Sequence, residues 1–262
     1  MNAPLSAQGR LQGCTVVVTR PAAQTARLAA LLTAEGAAVL VLPVMDIVPA
    51  TAAVLAAAGA AVLAADWAVW VSPAAIDLLA PALPQPLPAA VRFATVGAAS
   101  ARRLHTATGH AVLHPVGQSD GEALLALPEL ADLAGQRVVV LKGEGGRADA
   151  LADTLRARGA TVSVWNLYRR QPAKPDWTAW DALPPHRPLA GVVTSSEAAD
   201  WLFQLAGESR QARLQSAVYA VPHPRIAQRL AHHGASQCLM TPADDVSLVS
   251  ALCLWFSDAH DR

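Results

Sequence analysis

Short runs of β-branched residues alternate with helically spaced apolar ones along the whole chain. Cys14–Thr19 carries Thr-Val-Val-Val-Thr and runs into Pro21, a pattern that predicts a strand with a defined end. Ala22–Glu35 sets Leu28, Leu31 and Leu32 at helical spacing and leads into Gly36, which predicts a helix with a glycine C-cap. Ala38–Leu42 predicts the next strand. Later strands are expected at 67–71, 91–96, 111–113, 137–141, 161–165, 190–194, 216–221 and 236–240, with helices between most of them. That alternation is the pattern of an α/β protein with parallel sheets covered on both faces.

The chain also repeats itself. Val16-Val-Val-Thr-Arg-Pro21 through Glu35-Gly-Ala-Ala-Val39 recurs as Val138-Val-Val-Leu-Lys-Gly143 through Arg158-Gly-Ala-Thr-Val162. Val69–Asp77 recurs as Val192–Asp200, and Ala94–Leu104 as Ala220–Leu230. The offsets are all about 122–126 residues, so one unit is written twice in the order A-B-A′-B′. A period that long marks domain duplication rather than a solenoid. Each A unit ends in an extended tail, Pro43–Pro49 or Asn166–Pro172, that reads as a linker; the two tails are suited to pair as a short ladder. The residues themselves leave open whether A packs with B or with B′.

Composition narrows the functional classes. Twenty Lys+Arg balance twenty Asp+Glu, which argues against a general nucleic-acid binder. The apolar run Ala52–Ala65 is too short to span a bilayer and predicts a packed helix. Met1–Gly13 has no apolar signal core, and Cys14, Cys238 and Cys253 lack CxxC or zinc spacing. A soluble, cytoplasmic chain with free thiols is expected, monomeric because no apolar surface stripe is evident.

In parallel sheets, ligands bind beyond the carboxyl ends of the strands. The loops expected there are Thr19-Arg-Pro-Ala22, Ser72-Pro-Ala-Ala75, Gly97-Ala-Ala-Ser100, Lys142-Gly-Glu-Gly-Gly-Arg147, Thr194-Ser-Ser-Glu197 and Pro222-His-Pro-Arg225. Nearly all open a helix, where unpaired N–H groups and the dipole favour anions. Arg20, Arg102, Arg103, Lys142, Arg147, His223 and Arg225 oppose only Glu144 and Glu197 in these loops, a basic rim on a neutral protein. Ser and Thr there also serve as ordinary N-caps. No P-loop, GxGxxG or GxSxG motif is present, and His105, His110 and His114 lack metal spacing. His232-His233 suits a helix C-terminus, and Trp177 and Trp180 are expected to cover a sheet edge. Tyr219 is expected in a core strand, while Tyr168 sits in the second linker, its hydroxyl facing ligand or packed beneath. A non-catalytic reading also fits: a bilobal cytoplasmic small-anion-binding or sensor protein. The strand ends lack the acidic cluster of a receiver domain, and no DNA-binding appendage is left over.

In order and spacing, Val16–Pro21, Asp66-Trp-Ala-Val-Trp-Val-Ser-Pro-Ala-Ala75, Thr95-Val-Gly-Ala-Ala-Ser-Ala101, Leu141-Lys-Gly-Glu-Gly-Gly-Arg147, Leu167-Tyr-Arg-Arg170 and Val221-Pro-His-Pro-Arg-Ile-Ala227 resemble the uroporphyrinogen-III synthase family over about residues 13–256. The resemblance implies two flavodoxin-like domains joined by a two-stranded linker, the first discontinuous: 1–42 with 173–262, then 50–165, with linkers 43–49 and 166–172. It further implies a lyase without cofactor or metal that closes hydroxymethylbilane into uroporphyrinogen III. Water is lost, ring D is inverted through a spiro intermediate, and hydroxymethylbilane synthase is the expected source of substrate. By family position Tyr168 is the candidate to assist departure of the hydroxyl. Arg20, Ser72, Ala74, Gly97, Ser100, Lys142, Gly143, Arg147, Ser195, Ser196, His223 and Arg225 are the candidate substrate contacts. Relatives often carry Gly-x-x-Thr where this chain has Pro222-His-Pro-Arg225; His223 or Arg225 is the candidate replacement for that threonine.

Overall fold

A computed structural model describes residues 9–117, 120–145 and 148–260. Among them the strands are β1 (Thr15–Val18), β2 (Ala38–Val41), β3 (Met45–Pro49), β4 (Trp67–Trp70), β5 (Arg92–Thr95), β6 (Val112–Leu113), β7 (Arg137–Gly143), β8 (Thr161–Pro172), β9 (Leu189–Val192), β10 (Val218–Val221) and β11 (Cys238–Met240). The chain divides into two compact units, Met1–Asp46 with Gln171–Arg262, and Ile47–Arg170. It therefore crosses between them twice.

The first unit has a parallel sheet in the order β2-β1-β9-β10-β11. Numbered within the unit this is 2-1-3-4-5, the flavodoxin-like order. β1 accepts a strand on each side, with Thr15 opposite both Ala38 and Leu189. All four residues of β1, β9 and β10 are buried, as central parallel strands covered on both faces require. One core face joins Val16, Val18, Ala190, Val192 and Ala220 to Leu28, Leu32, Leu248 and Leu252 of the flanking helices.

In the second unit the parallel strands run β8-β7-β4-β5-β6. The spatial order is the same, but the pair that leads the first unit closes this one. β7 is a continuous apolar run that strand geometry divides between two layers. Val139 and Leu141 join Trp70, Ile76, Phe93 and Tyr168; Val138 and Val140 join Trp67, Leu124, Leu151 and Leu155. β3 lies beside β8. Ala173 N–H donates to Val44 O at 3.1 Å and Ala50 N–H to Leu167 O at 2.8 Å, so numbers rise on one segment as they fall on the other and the pairing is antiparallel.

Local departures from the predicted elements have local causes. The helix expected over Ala22–Glu35 is a 3-10 turn, Ala22–Gln24, followed by an α-helix, Ala26–Ala34. The Thr25 hydroxyl donates to Ala22 O at 2.7 Å and so holds the tighter turn. The apolar run forms the helix Ala52–Leu63, capped by Thr51, whose hydroxyl accepts from Val54 N–H. Among the described residues no helix is long and apolar enough to cross a membrane. Trp177 and Trp180 meet a helical neighbour. They pack edge to face at 5.7 Å beneath Arg210 and Arg213 of the helix Glu208–Gln215, as the short helix Thr178–Asp181 brings them there.

Candidate functional site

The carboxyl ends of β4, β7 and β8 bring together hydroxyl groups that lie far apart in sequence. Ser72 follows β4 in extended conformation and caps the helix Pro73–Leu79, its oxygen accepting from Ala75 N–H at 3.2 Å. Tyr168 lies near the end of β8, opposite Gly143 of β7. Its ring is buried in the core beside Trp70 and Leu141, and its hydroxyl donates to Ser72 Oγ at 2.9 Å. Gly143 is what admits the ring. A Cβ there would lie 2.5 Å from Tyr168 Cζ and 2.8 Å from its hydroxyl. The other tyrosine is seated alike: Tyr219 of β10 lies opposite Gly191 of β9, where a Cβ would meet its ring at 2.6 Å. Tyr219, however, donates inward to Leu214 O, and burial pushes its phenol far up, so it serves the core.

Lys142 and Gly143 belong to β7 rather than to a loop. The Lys142 side chain is only 4% exposed, and its ammonium pairs with Asp149 Oδ1 at 2.5 Å. Gly97 caps the helix Ala98–Thr108, with Ser100 buried on that helix, while Ala74 is buried in Pro73–Leu79. Arg147 lies outside the described residues.

In the other unit Ser195 mirrors Ser72: it caps the helix Ser196–Ala206, accepting from Ala198 N–H at 3.1 Å, and Ser196 is its first residue. The caps share nearly one backbone conformation, φ −150° and ψ 153° at Ser72 against φ −148° and ψ 153° at Ser195. His223 caps the helix Pro224–His232 through its ring, Nδ1 accepting from Arg225 N–H at 3.1 Å. Arg20 pairs with Asp245 at 2.6 Å, both side chains largely buried.

Three cations of the expected basic rim carry ion pairs. Arg20, Arg103 and Lys142 are held by Asp245, Asp77 and Asp149, carboxylates on helices beyond the loops in which the cations were counted. Asp77 is itself partly buried, which raises its carboxyl against the lowering effect of Arg103. Asp149 and Asp245 stand in the first turns of their helices and Asp77 one turn into Pro73–Leu79, so each acid lies just past a loop rather than in it. His233 is structural, stacked on Phe203 and bonded to Asp200 at 2.7 Å. Among the described residues no cluster of His, Cys, Asp or Glu is arranged to hold a metal.

Two flavodoxin-like units, one discontinuous and one with its leading strand pair last, with hydroxyl and cationic groups at their strand ends, define a duplicated α/β class of protein. Within it the chain belongs to the uroporphyrinogen-III synthase HemD family, whose model matches residues 26–247. It is 45% identical over 83 residues to uroporphyrinogen-III synthase of Salmonella typhimurium, covering 32% of this chain and 33% of that one. Against the Escherichia coli K12 protein of the same name it is 42% identical over 78 residues, 30% of this chain and 31% of the other. The chain thus spans about a third of the length of these curated relatives in the matched stretch. Two solved structures share the fold. A mutant uroporphyrinogen III synthase from the extreme thermophile Thermus thermophilus superposes with a TM-score of 0.57 at 19% identity, covering 95% of this chain and all of that one. The Helicobacter pylori synthetase gives 0.56 at 13% identity, covering 94% and 99%.

Proposed function

We propose that this protein is a uroporphyrinogen-III synthase, closing hydroxymethylbilane into uroporphyrinogen III with loss of water and inversion of ring D. Family membership supports the reaction class, and the Tyr168–Ser72 hydroxyl pair is the observation that carries the chemistry. The pyrrole nitrogen supplies the electron pair that expels the terminal hydroxyl and forms an azafulvene. The protein must ease departure of that hydroxyl and hold a flexible chain in the geometry that closes with inversion. Orientation and electrostatics suffice for both, and no strong side-chain base is required. We assign hydroxyl departure to Tyr168 and the serine it bonds. Contacts to acetate and propionate groups are assigned, within the unit that holds Tyr168, to the backbone N–H groups that open the helix at Gly97. That helix N-terminus supplies N–H donors of the kind carboxylates prefer.

The proposal extends to a cytoplasmic monomer that receives its unstable substrate from hydroxymethylbilane synthase. The three free thiols, Cys14 and Cys253 buried among them, fit a reducing compartment. The test is a coupled assay from porphobilinogen with the preceding deaminase, resolving the product isomers. Type III is expected. Type I alone at every enzyme concentration rejects the proposal and leaves a non-catalytic anion binder.

A further inference from the structure

The Ser72 hydroxyl has two acceptor lone pairs and one proton to donate. Ala75 N–H donates to its oxygen at 3.2 Å and Tyr168 O–H at 2.9 Å, so both acceptor sites are taken. What Ser72 retains is its own proton. The exposures fall in the same order: Tyr168 is 4% exposed and seated over Gly143, whereas Ser72 is half-buried. Resting on the reading of the site as a synthase, we infer that Ser72 is the group that meets the leaving hydroxyl of the substrate, and that Tyr168 is a positioning residue acting through it.

The step balances. The hydroxymethyl C–O bond breaks, its electron pair stays on oxygen, and that oxygen takes the Ser72 proton and leaves as water. Ser72 takes the Tyr168 proton along the bond already formed, and no serine alkoxide accumulates. The pyrrole N–H of the azafulvenium then gives up its proton, which returns to the phenolate, so the net change is loss of one water. A donor in line with another donor is polarised by it, which makes the serine a better acid than it is alone.

The test is the coupled assay on the full chain with Ser72→Ala, Ser72→Thr, Ser72→Asp, Tyr168→Phe and Ser72→Ala/Tyr168→Phe, each with its thermal midpoint. Loss of a donor present at the transition state predicts a fall of about 100-fold in kcat for Ser72→Ala. Ser72→Thr keeps the cap and the donor and should stay within about threefold of wild type. Ser72→Asp caps the helix and accepts both bonds but has no proton to give; it should fold and fall with Ser72→Ala, so that loss of the cap is not mistaken for loss of the donor. Tyr168→Phe leaves Ser72 in place and should lose about tenfold in kcat, with KM within about twofold. In the Ser72→Ala background it should cost nothing further, because the phenol acts only through the serine. The inference is overturned if Ser72→Ala and Ser72→Asp keep more than a third of wild-type kcat. It is equally overturned if Tyr168→Phe costs a further tenfold in the Ser72→Ala background, which would put the phenol itself on the substrate. A wild-type chain that makes only type I product is a different failure, rejecting the synthase reading and the relay with it.

Discussion

Replacing Gly143 with Ala tests whether the seat of Tyr168 is as tight as the geometry implies. Gly143 is not among the glycines with positive φ, so the backbone itself accepts alanine. The perturbation is therefore one methyl group, placed 2.5 Å from Cζ, 2.6 Å from Cε2 and 2.8 Å from the hydroxyl of a ring packed against core residues. Van der Waals contact needs about an ångström more, so the ring must move and its bond to Ser72 must lengthen. Overpacking of this kind costs about 1–3 kcal/mol, and the lost hydrogen bond about 1 kcal/mol more. Reduced freedom of the unfolded chain returns about 0.4–1 kcal/mol. The net expectation is a loss of about 1–3 kcal/mol, read as a fall of roughly 3–10 °C in thermal midpoint. Tryptophan fluorescence follows it through Trp67 and Trp70, both buried in this unit. Turnover should fall at least as far as in Tyr168→Phe. The decisive arm is the same substitution made together with Tyr168→Ala, where the ring that causes the clash is gone. There Gly143→Ala should be neutral or slightly stabilising. A wild-type midpoint and turnover for Gly143→Ala alone, or a penalty that persists without the ring, refutes the reasoning.

Gly59→Ala is the opposite case. Gly59 is buried in the helix Ala52–Leu63, and a Cβ would meet Leu83 and Leu79 at 3.6 and 3.8 Å, ordinary contact distances. It should raise stability by about 0.4–1 kcal/mol in thermal or urea unfolding, and a lower midpoint would count against the packing described. Alkaline stability is set in part by buried thiols. Burial pushes Cys14 from 9.0 up to about 12, and burial with Glu35 close by pushes Cys253 up to about 11. The folded state thus holds these protons where the unfolded chain releases them. Their stabilising effect is complete below pH 9 and is lost as pH rises from 9 through the folded-state values, at up to about 1.4 kcal/mol per pH unit per thiol. Urea titrations between pH 8 and 11 should show that slope and a shallower one in Cys14→Ala. An unchanged slope would show that Cys14 does not titrate as its burial demands.

Much of the fold was legible because strand and helix patterns are local. The β-branched runs at β1, β7 and β10 are strands, and the repeated unit recurs as matching geometry down to its glycine turns: Gly36 and Gly159, equivalent in the two copies, have φ of +83° and +88°. Ser72 and Ser195 were recognisable as caps because a cap bonds three residues ahead. The charge of the site was less legible. The acids that pair with Arg20, Arg103 and Lys142 stand in helices rather than in the loops, and the Arg20–Asp245 pair joins segments 225 residues apart with no local signature. The bond from Tyr168 to Ser72 spans 96 residues and has no local signature.

Alternation of apolar positions, glycine turns and hydroxyl caps determined on their own that this chain would build parallel sheets flanked by helices, twice over. They did so because each depends on residues one to four positions apart. They did not determine which strands would meet. The two A units carry nearly the same β-branched pattern, so either suits the edge of either B unit. Only the tertiary structure sets β1 against β9, 174 residues away, and β7 against β4, making one unit discontinuous and the other continuous. The same choice decides the chemistry, since pairing β8 with β7, and β7 with β4, carries a tyrosine to a serine. Strand partners are selected by complementary burial over long distances in the chain, and that information is shared among segments rather than written in any one of them.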